Sequence, residues 1–321
     1  MLFSIIIPVY NGERTLRRCL SSIAKQTLRD YQVLVVNDGS TDGTLAAAEE
    51  FARQDSRFSV LSKDNSGAGA ARNMGLKHAQ GEYVLFLDAD DYWLQEDFLE
   101  TLQSRIAEHP TDVLMFQMHK VTEKGDILKR YTKPGFQHND TVHALQDVYL
   151  ELVADGHALA SAGNKCVRRQ LLTENSILFR ENTLCEDIDW VLQLFSCTAT
   201  IRLMNLWAYA YTQHHTPSRS TQADAPRDLV GIVEDWSRRI RQEDMPHREA
   251  VAGLTAFEYG ICMGSYHLLQ REQKAVMREN IHLLQHGLDR KTRLIHRFCR
   301  VFGFSITCMA IRVYLLLRRI W

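Results

Sequence analysis

The sequence predicts an α/β domain with a mostly parallel central sheet and helices on both faces, followed by a helical C-terminal region. Three observations carry that expectation. Short apolar runs alternate with helical patterns over residues 1–118. The runs are rich in Val, Ile, Leu and Phe with little polar alternation, as in strands covered on both sides. Over residues 227–321 the pattern is helical throughout and no run reads as a strand.

The first strand falls at residues 2–8, where Ser4 alone interrupts the apolar run. Strands follow at 32–36, 58–61, 83–87 and 113–118, with helices near 14–26, 43–53, 68–79 and 96–108 between them. That repeated order implies right-handed crossovers in a three-layer fold. Ligands of such sheets bind at the carboxyl ends of the strands. Polar residues and glycines gather at those ends: Tyr10-Asn11-Gly12-Glu13, Asn37-Asp38-Gly39-Ser40 and Asp88-Ala89-Asp90-Asp91. From residue 119 the pattern weakens. A polar hairpin around Gly125 and a loop with Pro134 lead to a helix near 141–154. A helix after Glu186, a strand near 201–211 and a polar loop through Pro217 and Pro226 follow. We therefore divide the chain into an α/β unit over 1–225, in halves 1–118 and 119–225, and a helical region over 226–321.

Length and composition narrow the class. The 321 residues are 45% hydrophobic and 24% charged, which suits a soluble globular protein and argues against disorder, collagen-like repetition or a polytopic membrane protein. The net charge of −1 conceals a split, since residues 289–321 hold eight Arg or Lys and one acid. Seven cysteines without a CxxC pair fit a reducing compartment better than a disulfide framework or a zinc site. The N-terminus lacks a basic region and a small-residue cleavage site, so we expect the chain in the cytoplasm.

The strand-end acids suggest chemistry. Asp88 and Asp90 offer hard oxygen ligands in an open site, which suits Mg²⁺ or Mn²⁺ bridging a diphosphate. A DxD alone is short and also ends strands or caps helices in ordinary proteins. Asp38 at a neighbouring strand end strengthens the functional reading. Arg72 follows a glycine- and alanine-rich helix start, whose free N–H groups favour an anion. Glu186 and Asp187 open another helix, where acids meet the helix dipole favourably whether or not they are catalytic.

Four motifs in order, residues 4–11 (SIIIPVYN), 36–42 (VNDGSTD), 65–75 (NSGAGAARNMG) and 86–91 (FLDADD), resemble the family-2 inverting glycosyltransferases of bacterial cell-surface polysaccharide type, which have the GT-A fold. A weaker likeness continues through Asn164-Lys165 and Glu186-Asp187 to Tyr209 and Tyr211. The resemblance implies transfer from a nucleotide-diphosphate sugar, a UDP-sugar first among them, to a saccharide acceptor. It implies that Pro8, Val9, Tyr10, Glu13, Asp38, Gly67, Arg72, Asp88 and Ala89 bind the donor and that Asp90 binds Mn²⁺ or Mg²⁺. His214 or His215 would be a further metal ligand, though relatives place Arg where this chain has Thr212. Asp187 would be the base, with Glu186 orienting the acceptor, while Asp189 faces solvent. Asn164 and Lys165 would lie on the acceptor side or under the Glu-Asp loop. Two alternatives stay open: a nucleotidyltransferase on a similar scaffold, and an inactive nucleotide-sugar-binding module. Against the first, no cation follows the first strand before Arg14.

Residues 290–321 combine clustered Arg with Phe, Tyr and Trp. Seventeen residues with a central Arg fall short of the about twenty that a spanning helix needs. We expect this segment to lie on an anionic membrane surface, with packing in the core or a homodimer as the competing readings. A peripheral location on the inner face of the plasma membrane, and a lipid-linked saccharide acceptor, would follow. No nucleic-acid partner is expected.

Overall fold

The structure is a computed structural model and describes residues 1–130, 140–156, 160–213, 224–242 and 244–320. Strands β1 (Phe3–Val9), β2 (Tyr31–Asp38), β3 (Phe58–Lys63) and β4 (Tyr83–Phe86) alternate with helices α1 (Glu13–Ala24), α2 (Thr44–Gln54) and α3 (Gly67–His78). Next come β5 (Tyr92–Trp93), α4 (Phe98–Glu108), β6 (Val113–Thr122), β7 (Ile127–Arg130), β8 (Val142–Ala144) and α5 (Leu145–Ala154). The α/β part closes with β9 (Lys165–Arg168), α6 (Arg169–Glu174), α7 (Glu186–Cys197) and β10 (Thr200–Gln213). Among the described residues the ten strands form one sheet in the order β3-β2-β1-β4-β9-β6-β10-β5, with β7 on β6 and β8 on β10. The β3-β2-β1-β4 half is parallel, whereas β9 runs antiparallel to both β4 and β6. The predicted fold class is therefore the observed one.

The unbroken burial of β1 explains its lack of alternation, because every side chain from Phe3 to Val9 is buried. Ser4 is the instructive exception. Its hydroxyl accepts from the backbone N–H groups of Gly81 (2.7 Å) and Gln80 (3.2 Å) and donates to Gln32 (3.2 Å). A buried polar group is tolerated when it is paired, and this one pins the turn that starts β4. On the same face of β1, α3 approaches so closely that a Cβ at Gly75 would run into Ile6.

Three details depart from the sequence expectation. The helix expected at 141–154 begins with strand β8, because residues 142–144 pair with the free edge of β10. Strand β9 was not anticipated. Its sequence, KCVR, is too short and too polar at both ends to read as a strand alone. Contacts also divide the chain differently, into one unit of Met1–Leu145 with Ala160–Thr216 and another of Gln146–Leu159 with Pro217–Trp321. Residues 146–156 join the helices because Val153 packs against the glycine face of the following helical unit at Gly253.

That unit contains α8 (Ala225–Ile240), α9 (Arg248–Gly264), α10 (Arg271–Glu279), α11 (Arg290–Phe302) and α12 (Phe304–Ile320). Nearly all of α9 is buried, including Tyr259, whose hydroxyl donates to the Met277 carbonyl. Asp289 caps α11 by accepting from Lys291 N (2.9 Å) and Thr292 N (3.0 Å). Gly303, with φ of +80°, then turns the chain into α12.

The tight seat of α3 on β1 yields a measurable expectation. Gly75→Ala should lower stability by about 1–3 kcal/mol, the usual cost of forcing a methyl group into a filled core. Urea denaturation of the purified protein checks it; an unchanged midpoint would mean that Ile6 yields freely.

Candidate active site

The carboxyl ends of β1 and β2 are laced together before any ligand is considered. Asn11, in a left-handed conformation (φ +50°), donates its N–H to Ser40 Oγ at 3.0 Å and accepts from Thr41 N at 2.8 Å. Gly12 N donates to Thr44 Oγ1 at 2.8 Å, and Glu13 accepts from Gly43 N at 3.2 Å. Glu13 thus ties the two loops. Tyr10 is exposed beside them, while Pro8 and Val9 stay buried in the strand.

Asp38 ends β2 and is buried. Its Oδ1 accepts from Ser66 N and Lys63 Nζ, both at 3.0 Å, and its Oδ2 accepts from Gly67 N at 2.8 Å. A carboxylate from another strand therefore caps α3, whose own Ser66 makes no side-chain cap. Gly67 has φ of +89° and open space around it, so only a residue without a Cβ sits there unstrained.

The centre of the site is Arg72. Its side chain is buried, yet Nη2 reaches Asp88 Oδ1 at 2.7 Å and Nη1 reaches Glu186 Oε1 at 2.7 Å and Asp187 Oδ1 at 3.2 Å. Burial works against the guanidinium charge, but Asp187, Asp88 and Glu186 together hold it well above its ordinary value. Phe179 lies under the guanidinium at 5.1 Å and stacks on Trp190 at 5.0 Å. Asn73 fixes that floor by exchanging two hydrogen bonds of 2.9 Å with the backbone of Phe179.

Asp187 sits in the first turn of α7, with Oδ2 accepting from Ala162 N at 3.2 Å. Burial raises its carboxyl to about 6 against the opposing pull of Arg72, with Glu186 and Asp88 raising it further. The residue before the helix, Cys185, has φ of +66°. A non-glycine residue there costs about 1–2 kcal/mol and redirects the chain into the site. Lys165 and Asn164 are buried beneath this loop. Lys165 Nζ donates to Ser161 O (2.6 Å) and Asn164 Oδ1 (2.8 Å), so both residues hold the loop that carries Ala162. Burial drops the Lys165 ammonium to about 7, with Asp187 opposing. Asp189 was expected to face solvent. Instead it is buried, paired with Arg180 (3.3 Å) and Gln193 (2.8 Å), because the helix turns that position toward residues 178–180.

The turn after β4 is built on Asp91, which accepts from Tyr209 Oη at 2.6 Å and Thr212 N at 2.7 Å. Burial, then Asp90 and Asp88, push its carboxyl well above the usual range. The same acids raise Cys19, Tyr209 and Tyr211 after burial has done so. Such an excess of negative charge, with oxygen donors on Asp88 and Asp90, suits a hard divalent cation in charge and donor type, although among the described residues no three His, Cys, Asp or Glu side chains are gathered as a metal cluster. Ala89 is buried between Asp88 and Asp90. Arg18 braces the turn from below, donating to Asp90 O (3.3 Å), Glu123 O (2.8 Å) and Thr212 Oγ1 (3.1 Å) while lying over Tyr92 at 4.4 Å. His214 and His215 lie outside the described residues. Arg18, Asn73 and Ala162 were not anticipated. Asn73 falls within the 65–75 motif without a role read from it, and nothing in the local sequence marks Arg18 or Ala162, since each acts on a partner remote in the chain.

A mostly parallel sheet with carboxylates at the ends of β2 and β4, the two strands that flank β1, and a Glu-Asp pair at a helix start defines the GT-A class of proteins. Residues 4–171, just over half the chain, match Glycosyl transferase family 2, and the chain belongs to that family. It is similar to glycosyltransferase GlyA of Streptococcus pneumoniae, 32% identical over 211 residues that cover 65% of this chain and 30% of that one. It is also similar to the poly(ribitol-phosphate) beta-N-acetylglucosaminyltransferase TarS of Staphylococcus aureus, 30% identical over 250 residues, 76% of this chain and 41% of that one. This chain spans less than half the length of either relative. The structure of S. aureus TarS 1-349 in complex with UDP-GlcNAc superposes with a TM-score of 0.75 at 24% identity, covering 99% of this chain and 92% of that one.

Arg72 offsets three carboxylates, so removing it should be costly. Arg72→Ala is expected to destabilise the protein by about 3 kcal/mol, the low end for breaking a buried pair because Asp88 is 41% exposed and can rehydrate. Urea unfolding measures it, and a loss below about 1 kcal/mol would show that water replaces the guanidinium without penalty.

Proposed function

We propose that this chain transfers a sugar from a UDP-sugar to a saccharide hydroxyl with inversion at the anomeric carbon. The acceptor is lipid-linked, in synthesis of a bacterial surface polysaccharide or glycolipid. The observation that carries the reading is Asp187: a carboxylate raised to about 6, recessed at a helix start and tied through Arg72 to the strand-end acid Asp88. Family membership and the UDP-GlcNAc complex of the TarS neighbour support the donor class.

On this reading Tyr10 stacks on the base, and Asp38 accepts from it. Oδ1 already accepts from both Ser66 N and Lys63 Nζ, so the acceptor left for the base is Oδ2, which serves Gly67 N with one of its two lone pairs. Asp88 contacts the ribose, and Asp88 and Asp90 hold Mn²⁺ or Mg²⁺. That ion, when bound, stabilises the charge of the leaving diphosphate. Asp187 takes the proton of the acceptor hydroxyl as its oxygen bonds to the anomeric carbon and the bond to the diphosphate breaks. A base raised to about 6 remains ionised at neutral pH and is stronger than an ordinary aspartate. Arg72 holds that carboxylate ionised; Lys165, Glu186 and Asp88 set the rest of its field.

Three experiments test this. Asp187→Asn should cut kcat by about 10²–10⁴, the usual contribution of a general base, while donor binding by calorimetry is retained. In the unaltered protein, kcat/KM should fall as pH drops through about 6, because protonated Asp187 cannot accept a proton. Normal turnover in the variant, or an acid limb near the ordinary aspartate value of about 4, would remove Asp187 from the role. Separately, Asp90→Ala should abolish the Mn²⁺-dependent part of UDP-sugar binding in a thermal-shift assay; an unchanged metal response would place the ion elsewhere.

A further inference from the structure

The outer surface of the helical unit carries a feature that sugar transfer does not use. Along α11, Arg290, Arg293, Arg297 and Arg300 share one side with Leu294 and Val301, which are 65% and 74% exposed. The opposite side buries Thr292 and Cys299. Helix α12 already has an inner face: Phe304 packs edge-on against Tyr266, Thr307 and Cys308 are buried, and Ile311 and Leu315 fit against Gly264 of α9. Its other side nevertheless presents Ile306, Met309, Val313, Leu316 and Leu317, with Met309 62% exposed. Spacings of three and four residues put these on one stripe.

An apolar stripe of this size on a helix that has packed its other face marks a contact surface. Its charge decides the occupant. Residues 290–320 carry eight Arg or Lys and no acid. A second copy related by two-fold symmetry would bring the same arginine rows together with no carboxylate from this surface to pair them. An anionic bilayer answers both properties, with headgroup phosphates for the arginines and acyl chains for the stripe. Among the described residues no helix is long and apolar enough to cross a membrane, and Arg312 interrupts α12, so the helices lie along the surface.

We propose that α11 and α12 form a docking surface for an anionic lipid bilayer, the α11 arginines meeting phosphates and the outer stripe of α12 entering the headgroup–acyl boundary. This goes beyond sugar transfer and stands independently of it, since binding is read without turnover. The test uses the whole chain and flotation with vesicles of phosphatidylcholine alone or mixed in equal parts with phosphatidylglycerol. Binding to the mixed vesicles should be at least about tenfold tighter and should weaken with salt. R293E with R297E should lose that binding, R293K with R297K should keep it, and Met309→Glu should weaken it. These positions are exposed, so an unchanged melting curve certifies the fold. Equal binding to both vesicle types, full binding by the double Glu variant, or no vesicle binding would each overturn the proposal. A dimer in sedimentation that Met309→Glu dissociates, with no vesicle binding, would identify a second copy as the occupant.

Discussion

A single buried guanidinium organises the candidate site. Arg72 projects from α3, and its three acidic partners come from the end of β4 and the start of α7. Burying such a charge without partners is prohibitive, and crowding three partly buried carboxylates together without a cation is costly. Each side therefore needs the other. The consequence is geometric as well as energetic: a strand end and a helix start, about a hundred residues apart in sequence, are held at fixed positions around one planar fork. The field of the guanidinium also limits how far burial can raise Asp187, leaving a carboxylate near 6 that is ionised at neutral pH.

The acids at the strand ends divide between architecture and chemistry. Asp38 spends three hydrogen bonds capping α3 and fixing the loop before it. Asp91, deeper than its neighbours, binds the turn to β10 through Tyr209 and Thr212. Asp88 and Asp90 stay nearer solvent. Burial separates the two groups: the buried acids are satisfied by protein donors, and the partly exposed ones add to burial in raising Asp91, Cys19, Tyr209 and Tyr211.

Much of the α/β fold was legible because buried parallel strands leave a direct mark, an unbroken apolar run closed by glycine and acid. Residues 3–9, 31–38 and 83–86 follow that rule, and Asp38, Asp88 and Asp90 could be placed at one rim from it. Strand β9 left no such mark. Four residues of mixed polarity become a strand only because β4 and β6 leave a gap that their backbone fills. Lys165 in that strand, expected on the acceptor side or under the Glu-Asp loop, is buried, since its ammonium finds two oxygens in the turn just before it.

The sequence by itself determined the strand-end acids, the glycine-rich start of α3, the Glu-Asp helix start and the basic, acid-free final segment, all of them local patterns. Tertiary structure alone decided which acids would be sealed and which left open, that Asp189 turns inward, that Arg18 braces the Asp90 turn, and which face of α12 stays uncovered. The reason is physical. Periodicity and turn chemistry are written within a few residues, whereas burial and ion pairing depend on what the fold brings up from elsewhere in the chain, and only the assembled sheet sets those neighbours.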